Sequence, residues 1–296
     1  MVTTSPNTMR LKSYELATQD IASVDVEALH ALSLGVEWPH RPGDWDAFRS
    51  LGHGIVAQDE IGRVFGSAMW FPHGEECATI GMVITTPRVQ AQGGGRWMMD
   101  RILQQCGDRR LILNSTRAAY RLYVALGFVP QATVSQHQGY ATPWAAPVLG
   151  PDPAVEAIAP AGLGEVAALD AAAFGAARPR LMAHLAGTAE IRGLRRDGRL
   201  VGYGMRRAFG RGTVIGPVVA ESEADAVALV ASLLTGLDGR FVRLDTRQPP
   251  GLLRSFLESA GLALFDTTKT LTRGAPLPVV EPGRPGIYGL TAHALS

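Results

Sequence analysis

At 296 residues the chain is long enough for two globular units, each able to bury its own core. Its 28 lysines and arginines stand against 27 aspartates and glutamates, a net charge of +1, so there is no basic surplus for a nucleic-acid backbone or an anionic membrane. The most nearly unbroken apolar run, Ala226 to Leu234, is far shorter than the roughly 20 residues of a membrane-spanning helix. Cys77 and Cys106 are too few for a disulfide framework and have no metal-ligand spacing with histidine. The first residues lack a basic start followed by an apolar stretch, and a cytoplasmic protein without a metal is the expectation.

In chain order, the same pattern is written twice. Leu29, Ala31 and Gly35 return as Leu169, Ala171 and Gly175, at an offset of 140. The turn and strand Gly62-Arg-Val-Phe-Gly-Ser-Ala-Met69 resembles Gly198-Arg-Leu-Val-Gly-Tyr-Gly-Met205, at an offset of 136. Thr79 to Val83 resembles Val214 to Val218, at 135. Met99, Ile102, Leu103 and Cys106 form one helical face, and Val227, Val230, Ala231 and Leu234 repeat its spacing at an offset of only 128. The second copy has therefore lost seven residues between strand and helix, where the first has a glycine-rich run.

The last shared helix carries Ala119, Leu122, Tyr123 and Leu126 in one copy and Leu253, Phe256, Leu257 and Ala260 in the other, at an offset of 134. Gly127 and Gly261 close the two helices. Each half thus reads as strand, one or two helices, two or three strands, helix, strand, helix and closing strands, a mixed α/β (α+β) layer. Four prolines between Thr142 and Pro153 mark a linker. A second proline-glycine break, Pro276 to Gly286, precedes an apolar stretch, Ile287 to Ala294, that reads as a final strand.

The chemically informative segment runs from Ile80 through Gln90-Ala91-Gln92-Gly93-Gly94-Gly95-Arg96 into a helix. Glycines let successive backbone N–H groups converge, and a helix starting there adds unsatisfied donors and positive dipole potential. Such a loop suits a diphosphate. Neither a Gly-Lys-Ser/Thr nor a Gly-x-Gly-x-x-Gly pattern is present, so the common nucleotide loops are excluded.

Gln90-Ala91-Gln92-Gly93-Gly94-Gly95 resembles the Gln/Arg-x-x-Gly-x-Gly/Ala loop of the GNAT superfamily of N-acetyltransferases, with Pro87 three residues before the glutamine. Asn114, followed by Leu122-Tyr123-Val-Ala-Leu-Gly127-Phe128, resembles the second signature of that family, in the right order. The resemblance covers about the first 140 residues. It implies two GNAT-like domains, each a mixed, mostly antiparallel twisted sheet flanked by helices, at 1–146 and, in degenerate form, at 154–296. It also implies acetyl-CoA as donor, with Val83, Ile84 and Thr85 supplying the oxyanion contact and pairing with the pantetheine arm. Gln90 to Arg96 and Asn114 would bind the cofactor, and Tyr123 would be the acid that protonates the departing thiolate. The acceptor would be an amine of a small molecule or peptide, and the chain a monomer or homodimer. A non-catalytic acyl-CoA sensor is the rival expectation.

Other residues have readings of both kinds. Tyr123 lies on an apolar stripe and would pack equally well as a core tyrosine whose hydroxyl finds a local partner. Its counterpart Leu257 shows that the fold position requires no hydroxyl. Glu37, Trp38, His40, Arg41 and Trp45 lie in a Pro-Gly loop suited to an acceptor wall, with Arg41 reading a carboxylate. The tryptophans would equally anchor that loop to the core. His137 would stand on an opposite wall, while Glu37, Glu75 and Glu76 compete as general base.

Overall fold

The computed structural model describes residues 7–11, 14–145, 154–279 and 283–296. The expected linker from 146 onward therefore lies outside the described residues. Contacts group the chain into two compact units, Met1–Leu111 and Ile112–Ser296.

In the first unit, β1 (Thr8–Leu11), β2 (Tyr14–Asp20), β3 (His53–Gln58), β4 (Val64–His73) and β5 (Cys77–Thr85) form a sheet in sequence order, each neighbour antiparallel. Between β2 and β3 run α1 (Val26–Leu34), which Asp25 caps through the Glu27 N–H, and α2 (Pro42–Leu51). After β5 comes α3 (Gly94–Cys106), which buries Met98, Met99, Ile102 and Cys106 against β4 and β5. Its stripe is rotated slightly from the expected face, with Leu103 only half-buried, because Trp97 and Met98 turn inward.

The second unit contains β6 (Arg110–Ser115, from Ile112 onward), α4 (Tyr120–Ala125), β7 (Val129–Tyr140) and then the whole second copy. The latter comprises β8 (Ala154–Ala157), α5 (Leu163–Phe174), α6 (Pro179–Thr188), β9 (Glu190–Arg196), β10 (Arg199–Phe209), β11 (Gly212–Ala220) and α7 (Glu223–Leu234). It continues through β12 (Phe241–Thr246), α8 (Leu252–Ser259), β13 (Ala263–Arg273) and β14 (Gly286–Gly289). Strand order is β6-β13-β7-β12-β11-β10-β9-β8, with β14 on β11. The β11–β12 pair is parallel, which makes this sheet mixed. Two helices, three strands, a helix, a strand, a helix and a closing strand thus recur in both copies.

β7, the closing strand of the first copy, is flanked on both edges by strands of the second: β12 (Tyr140 opposite Phe241) and β13 (Val134 opposite Thr268). This pairing explains why the compact units divide at Leu111/Ile112 while the repeat divides in the 142–153 segment. Another departure concerns α7, read as one apolar face: Ala226 to Ala231, Leu233 and Leu234 are all buried. An all-round apolar helix belongs in the interior, and α7 packs on β9, β10, β11 and α8. The final strand is shorter than expected, ending at Gly289 rather than continuing to Ala294.

Candidate functional site

The strand leading to the glycine-rich loop carries a bulge. Ser67 of β4 pairs with Ile84 and Met69 with Gly81, so Met82 and Val83 together oppose one residue. The Ser67 hydroxyl donates to the bulge carbonyl of Met82 at 2.7 Å in a buried setting. Beyond the bulge, Val83 and Thr85 are half-buried on one face and Ile84 is buried on the other.

The loop then holds itself open with its own amides. Gln90 Nε2 donates to the Thr85 carbonyl (3.0 Å) and Gln92 Nε2 to the Arg88 carbonyl (2.9 Å). Ala91 and Gly93 take left-handed backbone, with φ 60° and 89°, and Gly93 caps α3. Among the described residues, no protein acceptor meets the backbone N–H groups of Ala91 to Arg96, six in succession ending in the first turn of α3. A Cβ placed on Gly94 would meet nothing within 4 Å, and its backbone is not left-handed. Neither packing nor torsion demands glycine there, so the space in front of the backbone is left for something else. Helix polarity and free donors make this an anion cradle that fits a diphosphate. Arg96 is exposed and reaches Asp100 only at 3.9 Å, which leaves its charge largely available.

Sequence reasoning missed two residues on either side of this loop. The Thr86 hydroxyl and the Trp97 indole N–H are buried without hydrogen-bond partners among the described residues. The Thr-Thr-Pro run at the strand end was the available signal for the former.

The aromatic loop between α1 and α2 follows the anchoring reading. Trp45 is completely buried, its indole N–H donating to Ser33 Oγ at 3.2 Å. His40 is edge-on to Trp38 (5.9 Å) and Phe48 (5.6 Å). Arg41 caps α2: its backbone N–H and guanidinium both bind Asp44, at 2.8 and 2.9 Å. The expectation that Arg41 reads a substrate carboxylate is corrected, since the internal Asp44 carboxylate already occupies that fork. Glu37 is exposed, with φ 61°, at the end of α1. Glu75 is tied to Arg109 at 2.6 Å, and Glu76 is exposed.

In the second unit, Tyr123 of α4 is 5% exposed and edge-on to Phe128 at 6.0 Å. Its hydroxyl makes no hydrogen bond to a described residue and is not among the fully buried polar atoms left without a partner, so it is open to water or to a ligand. Burial pushes the phenol pKa well above its ordinary value.

Asn114 and His137 are corrections. Asn114 Nδ2 donates to the His293 carbonyl (2.8 Å) and Ser296 Oγ (2.9 Å), and its Oδ1 accepts from Thr270 (2.6 Å). Both amide donors are consumed inside the protein, so none remains for a cofactor. His137 is fully buried in β7, with Nδ1 on the Leu262 carbonyl at 3.1 Å, and burial lowers its pKa. A residue with no exposed surface cannot form an acceptor wall.

The second copy answers each feature of the first. Its corresponding strand, β11, is bulged at Gly216-Pro217, and Arg207 donates to the bulge carbonyl of Gly216 at 2.7 Å. At the offset of 135, Val83, Ile84 and Thr85 correspond to Val218, Val219 and Ala220. Those three residues pair with β14: Val218 with Gly289, Val219 with Ile287 and Ala220 with Gly286. Leu290 N–H then bonds the Asp245 carbonyl of β12 at 2.8 Å. The strand edge beyond this bulge is thus covered by the chain itself.

Two family models match: one described as acetyltransferase (GNAT) family over residues 24–128, and one described as acetyltransferase (GNAT) domain over 166–282. The chain belongs to the GNAT acetyltransferases. It carries two GNAT-like domains, one in each repeat. This GNAT chain is 27% identical over 221 residues to the uncharacterized N-acetyltransferase YitH of Bacillus subtilis (strain 168), covering 73% of this chain and 76% of that one. Its fold matches a proposed acetyltransferase from Pyrococcus horikoshii with a TM-score of 0.75, at 17% identity over 97% of both chains. A tandem GNAT protein from the clavulanic acid biosynthesis pathway matches with a TM-score of 0.62, at 15% identity over 87% of this GNAT chain and 98% of that one. Among the described residues, no helix is long and apolar enough to cross a membrane, and no group of three or more His, Cys, Asp or Glu is placed to hold a metal.

Proposed function

We propose that the chain moves an acetyl group from acetyl-CoA to a primary amine of a small molecule or peptide, by direct attack within a ternary complex. The observation that carries this reading is the run of six N–H groups at Ala91 to Arg96 without acceptors among the described residues, together with the open space before Gly94. In this reading Gln90 to Arg96 hold the diphosphate. Gln90 and Gln92 act indirectly, fixing the loop through the carbonyls of Thr85 and Arg88. Val83, Ile84 and Thr85 present the strand edge along which the pantetheine arm lies.

Bound acetyl-CoA would supply the activated thioester carbonyl. Backbone N–H groups of Val83 to Thr85 stabilise the negative charge that develops on the carbonyl oxygen. The substrate amine attacks in its neutral form, the N–C bond forms and the C–S bond breaks. Tyr123, a phenol protonated at neutral pH and held more firmly so by its burial, places its proton at the departing sulfur, and the proton lost by the acylated nitrogen restores the balance.

The test is release of free thiol from acetyl-CoA by the intact chain across a panel of amines, with mass spectrometry of the amine. Saturable turnover and a gain of one acetyl group on one class of amine are expected. CoA binding without turnover on any amine would overturn acetyl transfer in favour of a sensor.

A further inference from the structure

The second unit contains a cluster of arginines, Arg178 buried and Arg243 and Arg247 half-buried, whose partners are unequal. Arg178, nearly fully buried, grips the Asp170 carboxylate through Nε (2.9 Å) and Nη2 (2.6 Å), and Tyr203 also donates to Asp170. Arg243 grips the Asp245 carboxylate at 2.8 to 3.1 Å. Arg247, which directly follows β12, has no carboxylate within ion-pair distance among the described residues. Its Nε donates to Thr270 Oγ1 at 2.8 Å, a hydroxyl that itself donates to Asn114, and its Nη2 is buried with no acceptor. Two positions earlier on β13, on the same face as Thr270, the Thr268 hydroxyl is also buried and unpartnered.

A guanidinium nitrogen buried without an acceptor is costly even where the rest of the side chain is half-buried, and an arginine does not escape by losing its proton at neutral pH. Burial, with Arg178 nearby, draws the pKa of Arg247 down to about 10, which still leaves it charged. The neighbouring Arg178 and Arg243 are matched by Asp170 and Asp245, and Arg178 also donates to the Ser296 oxygen at 2.8 Å; among the described residues no carboxylate pairs with Arg247. A planar fork with one free arm, held by Thr270, and a free hydroxyl two positions away on the same strand face are donors that suit a carboxylate.

We propose that Arg247, with Thr268 as second donor, forms a binding site for the carboxylate of a small molecule. That carboxylate belongs either to the amine acceptor, which would then be of the amino-acid class, or to a separate carboxylic acid. The first source rests on the acetyl-transfer reading above; the site itself does not.

Binding of N-acetylglycine and of the neutral N-acetylglycinamide to the intact chain, without acetyl-CoA, tests the site by calorimetry. The charged ligand should bind at least about ten-fold more tightly, as expected for a charge-assisted pair. Arg247→Met should abolish that preference and Arg247→Lys should retain part of it. Equal binding of the two ligands to the unaltered chain overturns the proposal, and so does an undiminished preference in a folded Arg247→Met protein. Turnover of glycine against glycinamide then separates the sources. A preference for glycine that vanishes in Arg247→Met assigns the site to the acceptor; a binding preference with no counterpart in turnover assigns it to a separate acid.

Discussion

Tyr123 and Leu257 hold the same place in two copies of one helix end. The Tyr123 carbonyl accepts the N–H of Phe128 at 3.0 Å, the Leu257 carbonyl accepts that of Leu262 at 2.8 Å, and Gly127 and Gly261 both take φ 84°. Backbone geometry is preserved to this degree while the side chain changes from a phenol to a fully buried leucine. The hydroxyl is therefore dispensable for the turn, and in the copy that retains the loop it makes no hydrogen bond to the described residues.

Replacement by phenylalanine should accordingly leave the fold intact. Tyr123→Phe is expected to lower kcat about ten-fold or more with little change in acetyl-CoA affinity, as loss of an acid acting at the chemical step requires. Steady-state kinetics beside calorimetric titration of CoA would show it, and an unchanged kcat would remove Tyr123 from the mechanism.

Much of this was legible in the sequence because it rests on periodicity and on glycine. The offsets of 134 to 136 place strands and helices correctly in both copies, since turns that need left-handed backbone, such as Gly62 and Gly198, must stay glycine. The exchange of β7 and β13 left no trace, because an alternating strand pattern does not say which neighbour it pairs with. Asn114 and Arg41 were misread for one reason: local spacing cannot reveal that a polar side chain is already satisfied by Thr270 and His293, or by Asp44. Arg247 escaped notice in a chain rich in arginine, because spacing does not show that its Nη2 is buried without an acceptor among the described residues.

Gly94→Asp separates folding from binding. The added side chain enters open space at the start of α3, where a carboxylate is favoured by the helix dipole, so stability should hold or rise slightly. The same charge opposes a diphosphate, and CoA affinity should fall at least about ten-fold. Thermal denaturation and CoA titration of one preparation would check both signs.

CoA should bind with a stoichiometry of one per chain. In the second copy the edge at Val218 to Ala220 is covered by β14, and the seven residues of the loop are gone. Calorimetric titration returning two equivalent sites would contradict this.

His293 makes stability depend on pH. Burial is the main influence, and with Arg243 and Arg247 it outweighs Asp245 and Asp266 to draw the imidazole pKa down to about 4. Between about pH 6.5 and 4 the unfolded chain binds a proton that the folded chain refuses, so stability falls as pH falls through that window. About a quarter of the ring meets solvent, which limits the effect to about 2 kcal/mol. Asp245, whose pKa is lowered, keeps its contribution until below the usual carboxylate range, outside this window. His293→Gln should flatten the dependence of Tm on pH between 6.5 and 4.

The exchanged closing strand makes the covalent link between the repeats redundant for holding them together. β7 is hydrogen-bonded along one edge to β12 and along the other to β13, so its attachment to the second copy runs through the sheet. A protease cut between residues 145 and 154 would sever the backbone yet leave those ladders in place, and the two fragments should travel as one particle. The molecule is in this sense a strand-swapped pair of subunits that happens to share a single chain.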